Sequence, residues 1–135
     1  MYFKDFDNWN AVKKRIQAED RTVHIRKGEI RWVSLGVNIG SEMDGKGVSF
    51  ARPALIIHVI GSRLALVVPV TSKTKEFPGY VPFAWKDKAN ALCIHQMRIV
   101  SQKRILHRLG RISTNRLREY ALKISDFYSL PPGTN

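Results

Sequence analysis

Two runs, Pro53-Ala-Leu-Ile-Ile-His-Val-Ile60 and Arg63-Leu-Ala-Leu-Val-Val-Pro-Val70, are joined by Gly61-Ser62. Both are short, apolar and rich in β-branched side chains, and a glycine-containing pair between such runs marks a tight hairpin. Little polar alternation interrupts them, so the hairpin is expected to be buried and to form the core. Upstream, residues 36–51 hold Gly36, Gly40, Gly45 and Gly47 with Asn38, Ser41 and Asp44. So many turn formers predict a long polar loop. Before it, Glu29 to Leu35 mixes polar positions with Ile30, Trp32, Val33 and Leu35, as a half-exposed strand would.

Further toward the N-terminus, Asp5 or Asp7 can cap a short helix with Phe6, Trp9, Val12 and Ile16 on one face and Lys13, Lys14 and Arg15 toward solvent. Downstream of the hairpin, a second loop (71–79) leads to Tyr80-Val-Pro-Phe-Ala-Trp85, which Pro82 confines to a sheet edge. A polar turn at Lys86 to Asn90, a strand from Ala91 to Met97 and a short strand near Ile99 and Val100 follow. Thr114 then caps a helix with Leu117, Tyr120, Ala121, Ile124 and Phe127 inward, ended by Pro131-Pro132-Gly133. About five short strands with helices only at the ends favour a mainly β fold, a small closed barrel, over a parallel sheet.

The 135 residues suit a single domain, 1–135, made of an N-terminal helical extension (1–20), a barrel (26–113) and a C-terminal helix (114–128). Lys plus Arg number 23 against 11 Asp plus Glu, a formal net charge of +12, while the apolar fraction of 44% is that of a folded protein. Such a domain expects a polyanionic partner, nucleic acid before an anionic membrane face. Cys93 is the only cysteine, which excludes an intrachain disulfide framework and any cysteine-rich zinc site and suits a reducing cytoplasm. No leader and no run of membrane-spanning length is read from the sequence, so a soluble, cytoplasmic chain is expected.

Several chemical signals fail on inspection. Gly40-Ser-Glu-Met-Asp-Gly45-Lys46 matches the start of a phosphate-binding P-loop, but Gly47 stands where a Ser or Thr must ligand magnesium, and a strand follows where a helix must begin. His24, His58, His95 and His107 show no ligand spacing, and Glu42 with Asp44 is the closest approach to an acidic cluster, so no metal or other cofactor is expected. No Gly-x-Ser-x-Gly occurs. Charge is informative: Arg98 to Lys123 hold eight Lys or Arg and only Glu119, +7 of the +12. That stretch reads either as a solvated helix face or as a surface that tracks phosphates. Trp32, Trp85, Phe50 and Tyr80 are candidates to stack unpaired bases, although Trp32 on a core strand fits packing better.

In chain order, Gly28-Glu-Ile-Arg-Trp-Val33, Gly40-Ser-Glu42, Arg52-Pro-Ala-Leu-Ile-Ile57, Val68-Pro-Val-Thr71-Ser72 and Gln96-Met-Arg98 resemble the MazF/PemK family of bacterial toxins, over about residues 26–127. The resemblance implies an SH3-like barrel of MazF/PemK/CcdB type, a homodimer and a cognate antitoxin partner. It also implies a ribonuclease that cuts single-stranded RNA without a metal. The family's catalytic arginine and threonine map onto Arg52 and Thr71. A guanidinium can donate two hydrogen bonds to the phosphoryl oxygens that gain charge when a ribose 2′-hydroxyl attacks, and Pro53 keeps Arg52 extended.

The plainer reading is that Arg52 pairs with Glu42 and Thr71 caps a strand. His95, just before Gln96-Met-Arg98, departs from the polar or acidic residues the family carries there. It is a candidate general base or acid, or else a strand histidine satisfied by backbone groups. Glu42, Ser72 and Gln96 are candidate supporting residues; Lys46, Lys73, Arg98 and Arg104 are candidate RNA contacts. A non-catalytic RNA or protein binder of the same fold, such as a gyrase-poison-like toxin, is the alternative. That branch uses a tryptophan near the C-terminus, and none follows Trp85.

Overall fold

Burial on both faces organises the sheet. The computed structural model describes residues 2–129, and its centre is the hairpin of β2 (Ala51–Ile60) and β3 (Leu64–Thr71). Successive strand side chains point to opposite faces, and here each face has its own core. Leu55, Val68 and Val70 enter one cluster, with Ile30, Phe83, Leu92 and Tyr120. Ala54, Ile56, Ala65 and Val67 enter the other, with Val33, Leu35, Val100 and Ile105. A fully buried Val, Leu or Ile contributes roughly 2 kcal/mol, which is why the run reads as nearly unbroken apolar sequence. The turn spans Gly61 to Arg63, with Ile60 opposite Leu64 and Gly61 at φ +59°.

Around the hairpin stand α1 (Phe6–Ala18), β1 (Glu29–Ser34), β4 (Tyr80–Trp85), β5 (Lys88–Cys93), a 3-10 turn (Ile94–Gln96), β6 (Arg98–Ser101), a second 3-10 turn (Gln102–Arg104), β7 (Ile105–Arg111) and α2 (Thr114–Phe127). Every strand pair is antiparallel, in the order β4-β5-β3-β2-β1-β7, with β6 also on β3. The fold is thus mainly β with two helices. The expected barrel closure is corrected by this order, because β4 and β7 are the two free ends and do not pair with each other. Side chains span the gap instead. Trp85 of β4 lies over Gly110 of β7, where a Cβ would sit 2.4 Å from the indole, and Arg116 of α2 donates to the Ala84 carbonyl at 3.0 Å.

Other departures have local causes. β1 is nearly all buried, not half-exposed, because β2 and β7 flank it and its polar residues pair internally. Arg31 reaches Glu29 at 3.4 Å and the Leu106 carbonyl at 2.8 Å. The turn after β4 is only Lys86 and Asp87, both at positive φ, so β5 starts at Lys88. It also ends early, at Cys93, where the chain tightens into the 3-10 turn that carries His95. β7 has no sequence-level signal, being Ile-Leu-His-Arg-Leu-Gly-Arg with shifts in its register against β1. Ser113, not Thr114, caps α2, its hydroxyl accepting from the Arg116 amide at 3.2 Å. Of the apolar positions on α2, Ala121 is exposed, whereas Tyr120 is buried and Leu117, Ile124 and Phe127 pack on the first core. The residues 131–133 expected to end that helix lie outside the described residues. Edge placement of β4 agrees with Pro82.

α1 is capped by Asp5 and buries one residue, Trp9. Trp9 is 7% exposed, packs edge-on to Phe50 at 5.7 Å and lies under the Arg104 guanidinium at 5.5 Å. Gly36, at φ +82°, leaves its room, since a Cβ there would come 2.3 Å from the indole. Gly36→Ala is expected to expel Trp9 and undock α1 at a cost of about 2 kcal/mol. A lowered melting temperature with red-shifted tryptophan emission is the measurement that checks it.

Candidate functional site

Arg52 is the second residue of β2, paired opposite Val33, and the proline after it favours the extended backbone of a strand. Its Nε donates to the carbonyl oxygen of Asp44, which fixes the guanidinium against the 36–46 loop and leaves its terminal nitrogens for a ligand. Arg52, Ala54 and Ile56 alternate onto one face of β2. The pairing with β3 runs to Ala54 opposite Pro69. The ladder ends there: beyond it Arg52 pairs with Val33 of β1 and Thr71 with Ala91 of β5, both at the same end of the hairpin.

The loop that holds Arg52 is built on backbone bonds: Gly36 N–H to the Phe50 carbonyl at 3.0 Å, Gly45 N–H to the Gly36 carbonyl at 2.8 Å, and a two-way bridge between Lys46 and Ala51. Gly45 is required there, since a Cβ would fall 1.7 Å from the Phe50 carbonyl oxygen. Asp44, 7% exposed, is the hub. Its carboxylate accepts from the Asn38 amide at 2.6 Å and the Tyr2 hydroxyl at 2.9 Å and pairs with Lys4 at 3.4 Å. Lys4 also donates to the Asn38 and Gly40 carbonyls. Gln96 joins loop to sheet, accepting from the Met43 amide and donating to the Ser41 carbonyl, both at 2.9 Å.

These elements enclose a cavity of about 350 Å³ whose walls include Glu42, Lys46, Arg52, Tyr80, His95 and Gln96. His95 sits on the 3-10 turn, not on a strand. Its Nδ1 is 3.1 Å from the Gly79 carbonyl, and a carbonyl can only accept, so Nδ1 carries a proton. Nε2 of the neutral ring is then an acceptor. Phe77 and Tyr80 hold the imidazole plane, with centroids 5.1 Å and 4.9 Å away.

The remaining candidates divide. Glu42 does not pair with Arg52: its carboxylate accepts from the Ile39 amide at 2.8 Å within its own turn, and Asp44 takes the tethering role through a backbone atom. Thr71 is buried, is not a wall of the 350 Å³ cavity, and its hydroxyl accepts from the Lys73 amide at 3.2 Å. Ser72 and Lys73 are exposed on the 71–79 loop, away from those walls. Arg98 lines the adjoining cavity and donates to the Leu35 carbonyl at 3.2 Å. Arg104 is half-buried and holds both the Ser34 and Leu35 carbonyls. Of the candidate stacking aromatics, Tyr80 alone reaches the cavity; Trp85 packs on Gly110, Phe50 on Trp9, and Trp32 beside His107. Cys93 is fully buried, and burial pushes its thiol up to about 11, so it is held as an unreactive thiol. Among the described residues no three His, Cys, Asp or Glu stand together as a metal site, and no helix is long and apolar enough to cross a membrane. Sequence reasoning missed Asp44 and Lys4, because their value lies in contacts across 34 to 42 residues of chain.

A family model described as PemK-like, MazF-like toxin of type II toxin-antitoxin system matches residues 26–128. The chain belongs to this toxin family. Solved structures agree on the fold. MazF from Deinococcus radiodurans is 22% identical with a TM-score of 0.61, over 82% of this chain and 100% of that one. A mycobacterial endoribonuclease in complex with its cognate antitoxin is 15% identical with a TM-score of 0.60, over 80% and 98%. The Mycobacterium tuberculosis toxin MazF-mt6 is 14% identical with a TM-score of 0.57, over 76% and 98%. No sequence among curated proteins matches the chain. In this toxin, α1 and Lys4 lie outside the family match, although Lys4 contacts the loop that tethers Arg52. Asp44→Ala is expected to cost about 2 kcal/mol through the donors it leaves unpaired. Amide exchange should then quicken in residues 36–46 while β2 and β3 stay protected.

Proposed function

We propose that this toxin is a metal-independent endoribonuclease acting on single-stranded RNA, with Arg52, Thr71 and His95 as its catalytic residues. The observation that carries the reading is the tethered Arg52 guanidinium sharing one cavity with His95, whose Nε2 is the free acceptor of the neutral ring. Membership of the toxin family and structural likeness to proteins titled endoribonucleases stand beside it.

The ribose 2′-hydroxyl gives its proton to His95 Nε2 as its oxygen bonds to the adjacent phosphorus. Arg52 donates to the phosphoryl oxygens, which gain charge at that moment, and so acts where the transition state differs most from the substrate. The bond from phosphorus to the 5′-oxygen breaks, that oxygen takes a proton from water, and a 2′,3′-cyclic phosphate and a 5′-hydroxyl end remain. Thr71, at the end of β3 as Arg52 is at the start of β2, accepts from the Lys73 amide and keeps its own hydroxyl proton to give the same phosphate. Tyr80 offers a ring face to an unpaired base, while Lys46 and Arg98 meet the backbone. Gln96 and Glu42 support the loop, and Lys73, exposed beside Ser72 on the 71–79 segment, meets the RNA backbone outside the cavity.

The same reading makes the toxin a single cytoplasmic domain, a homodimer and the partner of a cognate antitoxin. Exposed Ile60, Leu64 and Ile99 support the homodimer, since pairing of Ile60 with Leu64 and of Leu66 with Ile99 puts all three on one sheet face. The Trp85 contact on Gly110 supports treating the sheet as an SH3-like barrel left open at that seam.

Expression in bacteria tests the function. The wild type should arrest growth and leave transcripts with cyclic-phosphate ends, in chelator as without it, whereas folded Arg52→Ala should be harmless with cleavage down by about 100-fold or more. His95→Ala should lower single-turnover cleavage by about 100-fold. Equal toxicity of wild type and Arg52→Ala would instead mark a binding protein.

A further inference from the structure

We propose that α1 extends the RNA path: a groove walled by Arg98, Arg104 and Lys13 leads out of the cleavage cavity and receives the phosphodiester backbone of single-stranded RNA beyond the cut. This inference rests on the endoribonuclease reading. α1 lies outside the residues the family model matches, so the wall it gives the groove is not part of that match.

Continuity is the first support. The cavity holding Arg52 shares Glu42, His95 and Gln96 with a second of about 360 Å³. That one shares Asn38 and Arg98 with a third of about 560 Å³, beneath α1. The third shares Lys13 and Arg104 with a fourth of about 440 Å³, which adds Lys14 and Lys103. Walls held in common set these hollows side by side in a row from the cleavage cavity along α1.

Charge is the second. Arg98 and Arg104 both donate to the Leu35 carbonyl, so two guanidinium groups converge on one atom. Among the described residues neither has a carboxylate within ion-pair distance; the three ion pairs there involve only Lys4, Arg31, Arg108, Asp44 and Glu29. Burial, and then the Arg98 charge, lower the pKa of Arg104 from the usual arginine value. Like charges so held repel, and an anion between them removes the repulsion. The carboxylates on these walls are Asp7, Glu42 and Asp44, and Asp44 is paired with Lys4. Glu42 is engaged by the Ile39 amide, and Asp7 stands in the first turn of α1, where the helix terminus favours it.

Rigidity is the third. Trp9 seated in the Gly36 recess and the bond from Lys103 Nζ to the Gln17 carbonyl at 2.8 Å hold both ends of α1 to the sheet. Lys13 and Lys14 therefore stand at fixed places on the groove wall. A row of cations in a groove continuous with the cleavage cavity fits a phosphate backbone better than a folded protein surface.

The test uses mixed-sequence 2′-O-methyl RNA, which lacks the attacking hydroxyl, in a short form of about 6 nucleotides and a long form of about 20 nucleotides. Anisotropy titrations across a salt series compare the full-length wild type with Lys13→Gln/Lys14→Gln, a change of exposed helical residues that leaves helix propensity intact. The long strand should bind the wild type about tenfold more tightly than the short one. The variant should lose that advantage, with the long-strand salt slope reduced by about 0.7 per lysine. An unchanged advantage and slope would overturn the proposal. So would an unchanged slope joined to weaker capture by the co-expressed antitoxin, which would make this face a protein-docking surface. Normal cleavage by Arg52→Ala would defeat the catalytic assignment while leaving the length dependence standing, so the two failures are distinguishable.

Discussion

Everything in this molecule leans on a hairpin buried from both sides. Because β2 and β3 send alternate side chains into two separate cores, a slip of register by one residue would exchange every contact between them. The pairing is therefore fixed tightly, and the ends of the two strands are fixed with it. Arg52 and Thr71 sit at that end, two residues beyond Ala54 and Pro69. Precision at the site is inherited from packing several residues away, which a residue on a free loop would not have.

The second layer of positioning is polar and local. Arg52 takes no carboxylate partner among the described residues; it is held by the carbonyl of Asp44, so its positive charge stays unneutralised and available for a phosphate. Asp44 spends its own charge on Lys4, Tyr2 and the Asn38 amide. The N-terminal segment thereby connects to the Arg52 cavity at the Asp44 hub and to the hollow under α1 through Trp9. His95 follows the same logic, with one ring nitrogen committed to a backbone carbonyl and the other left as an acceptor.

Much of the fold was legible in the sequence. Unbroken apolar runs around Gly61-Ser62 announced the hairpin, Pro82 placed β4 at an edge, and both helices carried a cap and an apolar face. β7 was not legible, for its Arg, His and Gly residues satisfy a strand only because β1 supplies the other half of the ladder. Nor was the seam between β4 and β7, which depends on Trp85 meeting Gly110. At the site, Arg52, Glu42, Lys46, His95 and Gln96 stand out in the sequence and share one cavity. The postulated Glu42 tether was wrong in kind, because a short side chain inside a tight turn found the nearer Ile39 amide.

Sequence alone determined composition, charge, the central strands and the family motifs, since each is a property of residues close together in the chain. Tertiary structure alone decided which cations are spent on the fold and which are left for a ligand. Lys103 fastens a distant carbonyl, Arg104 fastens two while keeping its place on the groove wall, and Lys13 and Lys14 line the groove. Such a division depends on distances between segments dozens of residues apart. Those distances exist only once the two cores have closed around the hairpin.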